Sequence, residues 1–220
     1  MTDQAPDGFW KRQRRKSVFD WINLASSLWP RLKSLVYYPL VFGSFGRGSI
    51  LYRPTFLGNP RYIHIGKRVT ILPGARLEVV LVDRSRQPRL VIGDNVNLEQ
   101  GVHIVCHHRV VIEANVSVTG FCSIVDTTHP IDGLAPDAKM GNLVVDDESA
   151  VEIGRGTFIG MGARILPNVR IGQGAVIGAN SVVTRDVPEF CVASGVPAVV
   201  RRQRRMLTAS AVPGNSQQES

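Results

Sequence analysis

A histidine in a polar stretch is the residue of this sequence best suited to chemistry. His129 lies in DTTHPID, residues 126–132, and Pro130 stiffens the chain directly after it. Neutral imidazole can accept a proton from an attacking alcohol near neutral pH, a contribution of about 10²–10⁴-fold in rate. A lone histidine in a loop is more often a hydrogen-bonded turn residue, so the role of His129 depends on the elements that hold it.

Cysteine and histidine also occur together at Cys106, His107 and His108, which raises the question of a metal site. The three cysteines, completed by Cys122 and Cys191, stand far apart and contain no C-x-x-C pair. Neither a thiolate zinc site nor a disulfide framework is therefore expected. We expect no metal, and a reducing cytoplasm fits this cysteine usage best.

An aliphatic residue recurs every six positions through much of the chain. The series is Ile65, Ile71, Leu77; Ile92, Leu98, Ile104; Ile112, Val118, Ile124; and Ile153, Ile159, Ile165, Ile171, Ile177, Val183. An α-helix cannot keep this period on one face, because six residues are not a whole number of its turns of about 3.6 residues. Short strands that bend after each hexad can keep it, and stacked coils of such strands would bury one continuous core, as in a solenoid.

The series is interrupted at 83–91, 106–111 and 126–152. Insertions leave a solenoid as loops on its surface, where specificity can be built without disturbing the core. The third interruption is the longest, and His129 follows the hexad of Ile124 within it. We therefore expect the rigid coil to anchor this histidine.

The repeats resemble those of the hexapeptide-repeat transferases, whose units follow [LIV]-[GAE]-x-x-[STAV]-x. The resemblance covers residues 60–202, and the run IGRGTFIGMGARILPNVRIGQGAVIGANSVVTRDVPEFCVASGVPAVVRR is its most specific part. It implies an all-β fold, a left-handed parallel β-helix with three hexads to a coil. Within this superfamily the chain is most similar to the maltose, galactoside and nodulation-factor O-acetyltransferases and to the polysaccharide O-acetyltransferases.

The resemblance also implies an activity and a site. Members of the family transfer an acetyl group from acetyl-CoA, usually as a homotrimer with an active site at each subunit interface. Their THPID histidine is the general base that takes the proton of the acceptor hydroxyl, and His129 stands at that position. The residues implied for coenzyme binding are Phe158, Gly160, Met161, Ala179, Thr184, Arg185 and Arg202. For Gly160 and Ala179, the needs of a tight corner explain the residue type equally well.

Three residues are assigned to the acceptor. Glu99, in NLEQGVHI, stands where the sugar acetyltransferases have an asparagine that holds the acceptor. An ionised glutamate only accepts hydrogen bonds, whereas asparagine also donates, so the acceptor is expected to differ from maltose and galactosides or to bind differently. His107 matches a position that is acidic in the galactoside enzymes, although a solvated turn explains it equally well. Asp126, which opens the DTTHPID stretch, is the third.

The chain is predicted to have three segments. Residues 1–58 are a basic amphipathic helical arm and lead-in, residues 59–202 the β-helix with its loop 126–152, and residues 203–220 a basic and polar tail of disordered composition. Within the arm, KRQRRK at 11–16 precedes apolar residues at helical spacing. Residues 9–38 would suit an anionic membrane surface, but packing on the prism or on a neighbouring subunit is favoured, because stacked coils leave apolar surface to cover.

The sequence thus predicts an acetyl-CoA-dependent O-acetyltransferase that acts on a sugar hydroxyl of a surface polysaccharide or its precursor. No signal peptide or bilayer-spanning stretch is recognised, so a cytoplasmic location is expected, with the inner face of the membrane as an alternative. Two other functions stay open, a sugar-nucleotide N-acetyltransferase of the same fold and a glycan-binding β-helix without turnover. The net charge of +8 suggests nucleic acid, but no pattern of stacking aromatic residues accompanies it, so nucleic acid is not expected as a partner.

Overall fold

A stack of short strands follows a helix in the described chain. The computed structural model describes residues 28–82 and 87–205. Residues 28–36 are helical (α1), and α2 covers Tyr38–Val41. The strands are β1 Ser44–Phe45, β2 Ile50–Leu51, β3 Phe56–Gly58, β4 Ile63–Ile65, β5 Thr70–Ile71, β6 Arg76–Val79, β7 Arg89–Ile92, β8 Asn97–Leu98, β9 His103–Cys106, β10 Arg109–Ile112, β11 Ser117–Val118, β12 Ser123–Val125, β13 Ala150–Ile153, β14 Phe158–Ile159, β15 Arg164–Ile165, β16 Val169–Ile171, β17 Val176–Ile177, β18 Val182–Val183, β19 Cys191–Gly195 and β20 Ala198–Gln203. Two 3₁₀ turns cover Pro60–Tyr62 and Met140–Asn142.

The strands form three sheets, here called sides A, B and C of a prism. Side A has the order β1-β4-β7-β10-β13-β16, side B β2-β5-β8-β11-β14-β17-β19-β20, and side C β3-β6-β9-β12-β15-β18. Successive strands visit A, B and C in turn, so in the described residues six coils stack on one another with parallel pairing, and only β19 and β20 pair antiparallel. The sheets are those of the left-handed parallel β-helix that the repeats predict.

The six-residue series marks the inward positions of the coils, as predicted. On side A, Ile65, Ile92 and Ile112 stand in register on adjacent strands. Every residue of the series from Ile65 to Val183 is at most 2% exposed. The core is therefore a column of aliphatic side chains along the prism axis, and each coil contributes one residue from each side.

The solenoid begins at Ser44, earlier than the boundary at residue 59 that the sequence predicts. Strands β1 to β3 already form a coil, which pairs with the next one from Ser44 to Gly58. Leu57 and Ile65 occupy equivalent inward positions eight residues apart, because the 3₁₀ turn Pro60–Tyr62 lengthens the corner between them. Counting back in sixes from Ile65 therefore misses the first coil. At the other end, β20 carries the described sheet to Gln203.

The predicted interruptions are shorter than the sequence suggests. The expected loop at 106–111 is wrong, since Cys106 ends β9, Arg109 begins β10, and only His107 and His108 form the corner. Residues 89–91 and 150–152 likewise belong to β7 and β13. The one long excursion in the described residues runs from Asp126 to Ser149, between β12 and β13.

The helical arm packs one stripe onto the first coil and exposes another. Pro30, Ser34, Tyr38 and Phe42 are buried at helical spacing, and the Ser34 hydroxyl accepts the backbone N–H of Leu51 at 3.0 Å. The arm therefore contacts the first coil through residues 30–42, but by a different face from the apolar stripe that was expected to pack. Large apolar side chains on the other face remain exposed, namely Leu28, Trp29, Leu32, Leu35, Val36, Tyr37 and Leu40. In the described part of the chain no helix has the length and hydropathy to cross a membrane, and the segments 1–27 and 206–220 lie outside it.

Replacing Ile124 by Ala should lower the free energy of unfolding by about 2–5 kcal/mol, because stacked coils cannot close the cavity that is left. The matched control is Ser123→Ala on the same strand, which changes a side chain that is not buried and should cost less than about 0.5 kcal/mol. Urea denaturation of both variants measures the difference. Equal losses would show that the six-residue series does not mark the core.

Candidate active site

The residues predicted for the site lie on two different edges of the prism. Edge B–C, where the chain passes from side B to side C, carries Glu99, Gly160, Met161 and Ala179, with Phe158 on the strand leading to it. Edge C–A carries His107, Asp126, Thr184 and Arg185, together with the loop that contains His129. Arg202 is on β20, at the last strand of side B. Within one chain, the width of side C separates the predicted base from most of the predicted coenzyme contacts.

His129 is exposed, and a single hydrogen bond orients its ring. Its Nδ1 lies 2.5 Å from the backbone oxygen of Leu143, on the returning limb of the loop. A carbonyl oxygen can only accept, so Nδ1 carries the proton and donates it. In the neutral ring the basic lone pair is then on Nε2. The N–H of Val145 also donates to the oxygen of Thr128 at 2.8 Å, which ties the two limbs of the loop together beside His129.

Asp126 has a structural role, and its assignment to the acceptor is corrected. Its side chain is fully buried, and its carboxylate accepts the backbone N–H groups of His107, His108 and Arg109 at 2.5, 2.9 and 2.7 Å. Its backbone oxygen accepts the hydroxyl of Ser149 at the far end of the loop. A buried carboxylate with three N–H donors cannot also bind a sugar. The carboxylate of Asp126 closes the corner of the preceding coil, between β9 and β10, and Asp126 holds both ends of the loop together.

His107 is also buried rather than exposed to an acceptor, so its assignment to the acceptor pocket is corrected as well. Its side chain is 3% exposed, and Nε2 lies 3.3 Å from Oδ1 of Asp146 in the loop. His108 donates from Nδ1 to the oxygen of Ser149 at 3.2 Å. Both histidines therefore hold the returning limb of the loop against the corner that Asp126 closes.

Burial raises the pKa of the Cys106 thiol, and the neighbouring Asp126 carboxylate raises it further. The pKa of Cys122 is likewise raised by burial. Both groups stay protonated thiols near neutral pH and are poor nucleophiles. Among the residues that the structure describes, no three His, Cys, Asp or Glu side chains lie close enough together to hold a metal ion.

On edge B–C, the structure separates packing residues from exposed ones. Gly160 is buried, and a Cβ there would meet the backbone N of Ala179 at 2.5 Å, so coil stacking itself requires glycine. Phe158, Met161 and Ala179 are exposed and remain open to a ligand. Oε2 of Glu99 accepts the N–H of Gly120 at 3.0 Å. One of its oxygens therefore helps to hold the next coil in place.

The basic end of side B contains two residues that the site prediction omitted. Arg202 lines a depression of about 550 Å³ together with Arg204, Arg205, Val176 and Val192. The guanidinium of Arg204 also donates to the oxygen of Gly174. The signal for these residues was the RRQRR cluster at 201–205, whose charge fits a phosphorylated ligand as well as solvent. Thr184 and Arg185 are exposed on edge C–A, away from this depression.

Comparison with known proteins agrees with the repeats and the fold. The bacterial transferase hexapeptide model, six repeats, matches residues 150–185. A putative lipopolysaccharide biosynthesis O-acetyl transferase, WbbJ of Escherichia coli K12, is 31% identical over 155 residues, 69% of this chain and 76% of that protein. The chain belongs to the hexapeptide-repeat acetyltransferase family.

Two further similar proteins are acetyltransferases, one matched by sequence and one by structure. The galactoside O-acetyltransferase of Escherichia coli K12 is 30% identical over 164 residues, 74% of this chain and 64% of that protein. The hexapeptide-repeat acetyltransferase VCA0836 of Vibrio cholerae, solved in complex with acetyl coenzyme A, superposes with a TM-score of 0.55 at 17% identity, over 86% of this chain and 91% of that one. At this identity the superposition shows a shared fold.

Asp126→Asn should destabilise the acetyltransferase by about 2–4 kcal/mol, because the neutral amide replaces charge-assisted hydrogen bonds and turns one acceptor into a donor that faces N–H groups. Asp132→Asn, an exposed change in the same loop with the same loss of charge, is the control and should leave stability within about 0.5 kcal/mol. Thermal and urea unfolding provide the measurement. If both variants unfolded alike, the buried carboxylate would not be the anchor of the loop.

Proposed function

We propose that this acetyltransferase moves the acetyl group of acetyl-CoA to a hydroxyl of a sugar, in a surface polysaccharide or its precursor, with His129 as the general base. The observation that carries the proposal is the hydrogen bond from Nδ1 of His129 to the oxygen of Leu143. It leaves Nε2 as the basic nitrogen on an exposed ring at the edge of the prism. That is the state a general base needs before an alcohol binds.

The reaction would proceed by acyl transfer with the proton moving through His129. Nε2 takes the proton of the acceptor hydroxyl as its oxygen attacks the thioester carbon of acetyl-CoA. The tetrahedral intermediate then collapses, the C–S bond breaks, and the imidazolium returns the proton to the departing thiolate of coenzyme A. The products are the acetyl ester and free coenzyme A, and His129 is again neutral with its proton on Nδ1.

The donor is supported by the basic end of side B. Coenzyme A carries phosphates, which arginine binds well because its planar guanidinium matches their oxygens. Arg202, Arg204 and Arg205 line one depression there, and Met161 and Ala179 are exposed on the neighbouring edge. The pantetheine would then lie along edge B–C. The acetyl coenzyme A in the VCA0836 complex supports the choice of donor, since that protein shares the fold.

The placement of the proposed base and the proposed coenzyme contacts on two different edges supports a homotrimer with shared active sites. His129 on edge C–A and Met161 on edge B–C lie at opposite borders of side C in one chain. A second copy related by cyclic symmetry can bring its edge B–C to edge C–A of the first, so each complete site takes residues from two subunits.

The acceptor follows from the relatives and from Glu99. The Escherichia coli relatives bear the names of enzymes that act on galactosides and in lipopolysaccharide biosynthesis. Glu99 remains the residue assigned to the acceptor, with Oε1 available beside the oxygen that binds Gly120. An O-acetyl product is cleaved by mild alkali, whereas the amide made by an N-acetyltransferase survives.

Contact of residues 9–38 with a membrane surface stays a prediction, supported by the exposed apolar face of α1.

His129→Ala should reduce acetyl transfer by about 10²–10⁴-fold while the protein stays folded, because the base is lost and the exposed ring contributes little packing. Thiol release from acetyl-CoA across a panel of glycans and nucleotide sugars measures the rate. Thr128→Ala, an exposed neighbour, is the control and should retain most activity. Near-normal turnover by His129→Ala would reject the assigned role.

Shared sites predict that two inactive variants restore each other. Met161→Arg places a charge on the proposed pantetheine path at an exposed position, so it should block transfer without unfolding the coil. When the two variants are co-expressed and mix at random, about one quarter of the interfaces should contain an intact site. Such a site needs His129 from a Met161→Arg subunit on one side and Met161 from a His129→Ala subunit on the other. Recovery of that fraction of activity supports shared sites. If the co-expressed mixture stays as inactive as the separate variants, each site would belong to one chain.

A further inference from the structure

The outer face of side A contains a groove that the proposed chemistry does not use. Two adjoining depressions, of about 520 and about 410 Å³, share Gln87 and Arg89 along their border. The first is also lined by Arg61, Tyr62 and His64, and the second by Val91, His108 and Arg109. We call this continuous surface, which crosses the second to fourth coils, the side-A groove.

The groove is rich in cations, and two of them lack an ion-pair partner within residues 28–82 and 87–205. Arg61 and Arg89 are exposed, and no carboxylate of the described residues forms an ion pair with either of them. Arg109 does pair with Glu152 at 3.0 Å, but Glu152 is shared with Arg170 at 2.6 Å. Counted over the described residues, the net charge at the centre of the groove is therefore positive.

The strand register places like charges side by side. Arg89 and Arg109 are direct partners on β7 and β10, which pair in the same sheet, where strands lie about 4.8 Å apart. Burial lowers the pKa of His64, and the charge of Arg89 lowers it further. Folding alone does not favour such a cluster, whereas an anion between the guanidinium groups would neutralise it.

The groove also has the other features of a carbohydrate surface and leads toward the base. Tyr62, Val91 and Val111 are half-buried and provide apolar surface between the arginines, and Gln87 provides an amide. Its far end is His108, which donates to the oxygen of Ser149 at the base of the loop that bears His129. A chain lying in the groove would therefore extend from edge C–A.

We propose that the side-A groove binds acidic sugar residues of the acceptor, so that the acetylated glycan is an anionic polysaccharide. This rests on the proposed function, because it takes the sugar at His129 to be part of a longer chain. The guanidinium groups of Arg61 and Arg89 pair with carboxylates on sugars of the same chain other than the acetylated one. Apolar faces of the rings lie against Tyr62 and Val91.

The test measures binding without the donor, so it does not depend on turnover. Full-length His129→Ala protein is titrated with tetragalacturonate, with neutral maltotetraose and with inorganic pyrophosphate. The double variant Arg61→Gln/Arg89→Gln should weaken tetragalacturonate binding at least tenfold. Lys67→Gln/Arg155→Gln removes the same charge from exposed positions on the edge between sides A and B, and should leave binding within twofold.

The pKa of His64 gives a second readout, because it reports on an anion bound beside Arg89. When tetragalacturonate binds, the His64 pKa measured by NMR should rise, because the anion offsets Arg89, and it should not rise in Arg61→Gln/Arg89→Gln. The proposal is overturned if both double variants lose affinity equally, if His64 does not respond, or if pyrophosphate binds while tetragalacturonate does not. A result in which binding is confirmed but no glycan is acetylated would reject the proposed function and leave the groove as an anionic-glycan site.

Discussion

The structure depends on the in-register stacking of one aliphatic side chain per side in every coil. Residues such as Ile92, Ile112 and Ile153 are adjacent on side A, and each is fully buried. Burial of such side chains provides about 1.5–3 kcal/mol each, so the column along the axis supplies much of the folding free energy. Because stacking fixes the position of every inward residue, it also fixes which edge each outward or corner residue occupies. The candidate site inherits its geometry from this constraint.

Function depends on a second, local constraint at edge C–A. A loop between two coils has no sheet partners of its own, so it needs other contacts to hold a defined shape. Asp126 and Ser149 join its two ends, and His107 and His108 bind its returning limb. The oxygen of Leu143 can therefore orient the ring of His129. The buried carboxylate of Asp126 thus helps to set the position of the exposed His129 ring without contacting it.

Much of the fold can be predicted from the sequence. The edge on which a given residue lies can be predicted as well, from its distance to the nearest member of the six-residue series. A residue one or two places after a side-B member of the series, such as Gly160 after Ile159, must lie at edge B–C. Thr184, directly after Val183, must lie at edge C–A for the same reason. The first coil was missed because a 3₁₀ turn shifts the count by two. The roles of Asp126 and His107 were missed because their partners are 17 to 39 residues away in sequence.

The central claim is that Nε2 of His129 from one subunit meets a donor held on edge B–C of another. The most direct measurement is an experimental structure of this acetyltransferase with coenzyme A bound. The account predicts that the coenzyme thiol lies beside Nε2 of His129 of one subunit, with pantetheine along Met161 and Ala179 of its neighbour. A thiol far from every His129, or a ring whose Nε2 instead binds the oxygen of Leu143, would contradict it.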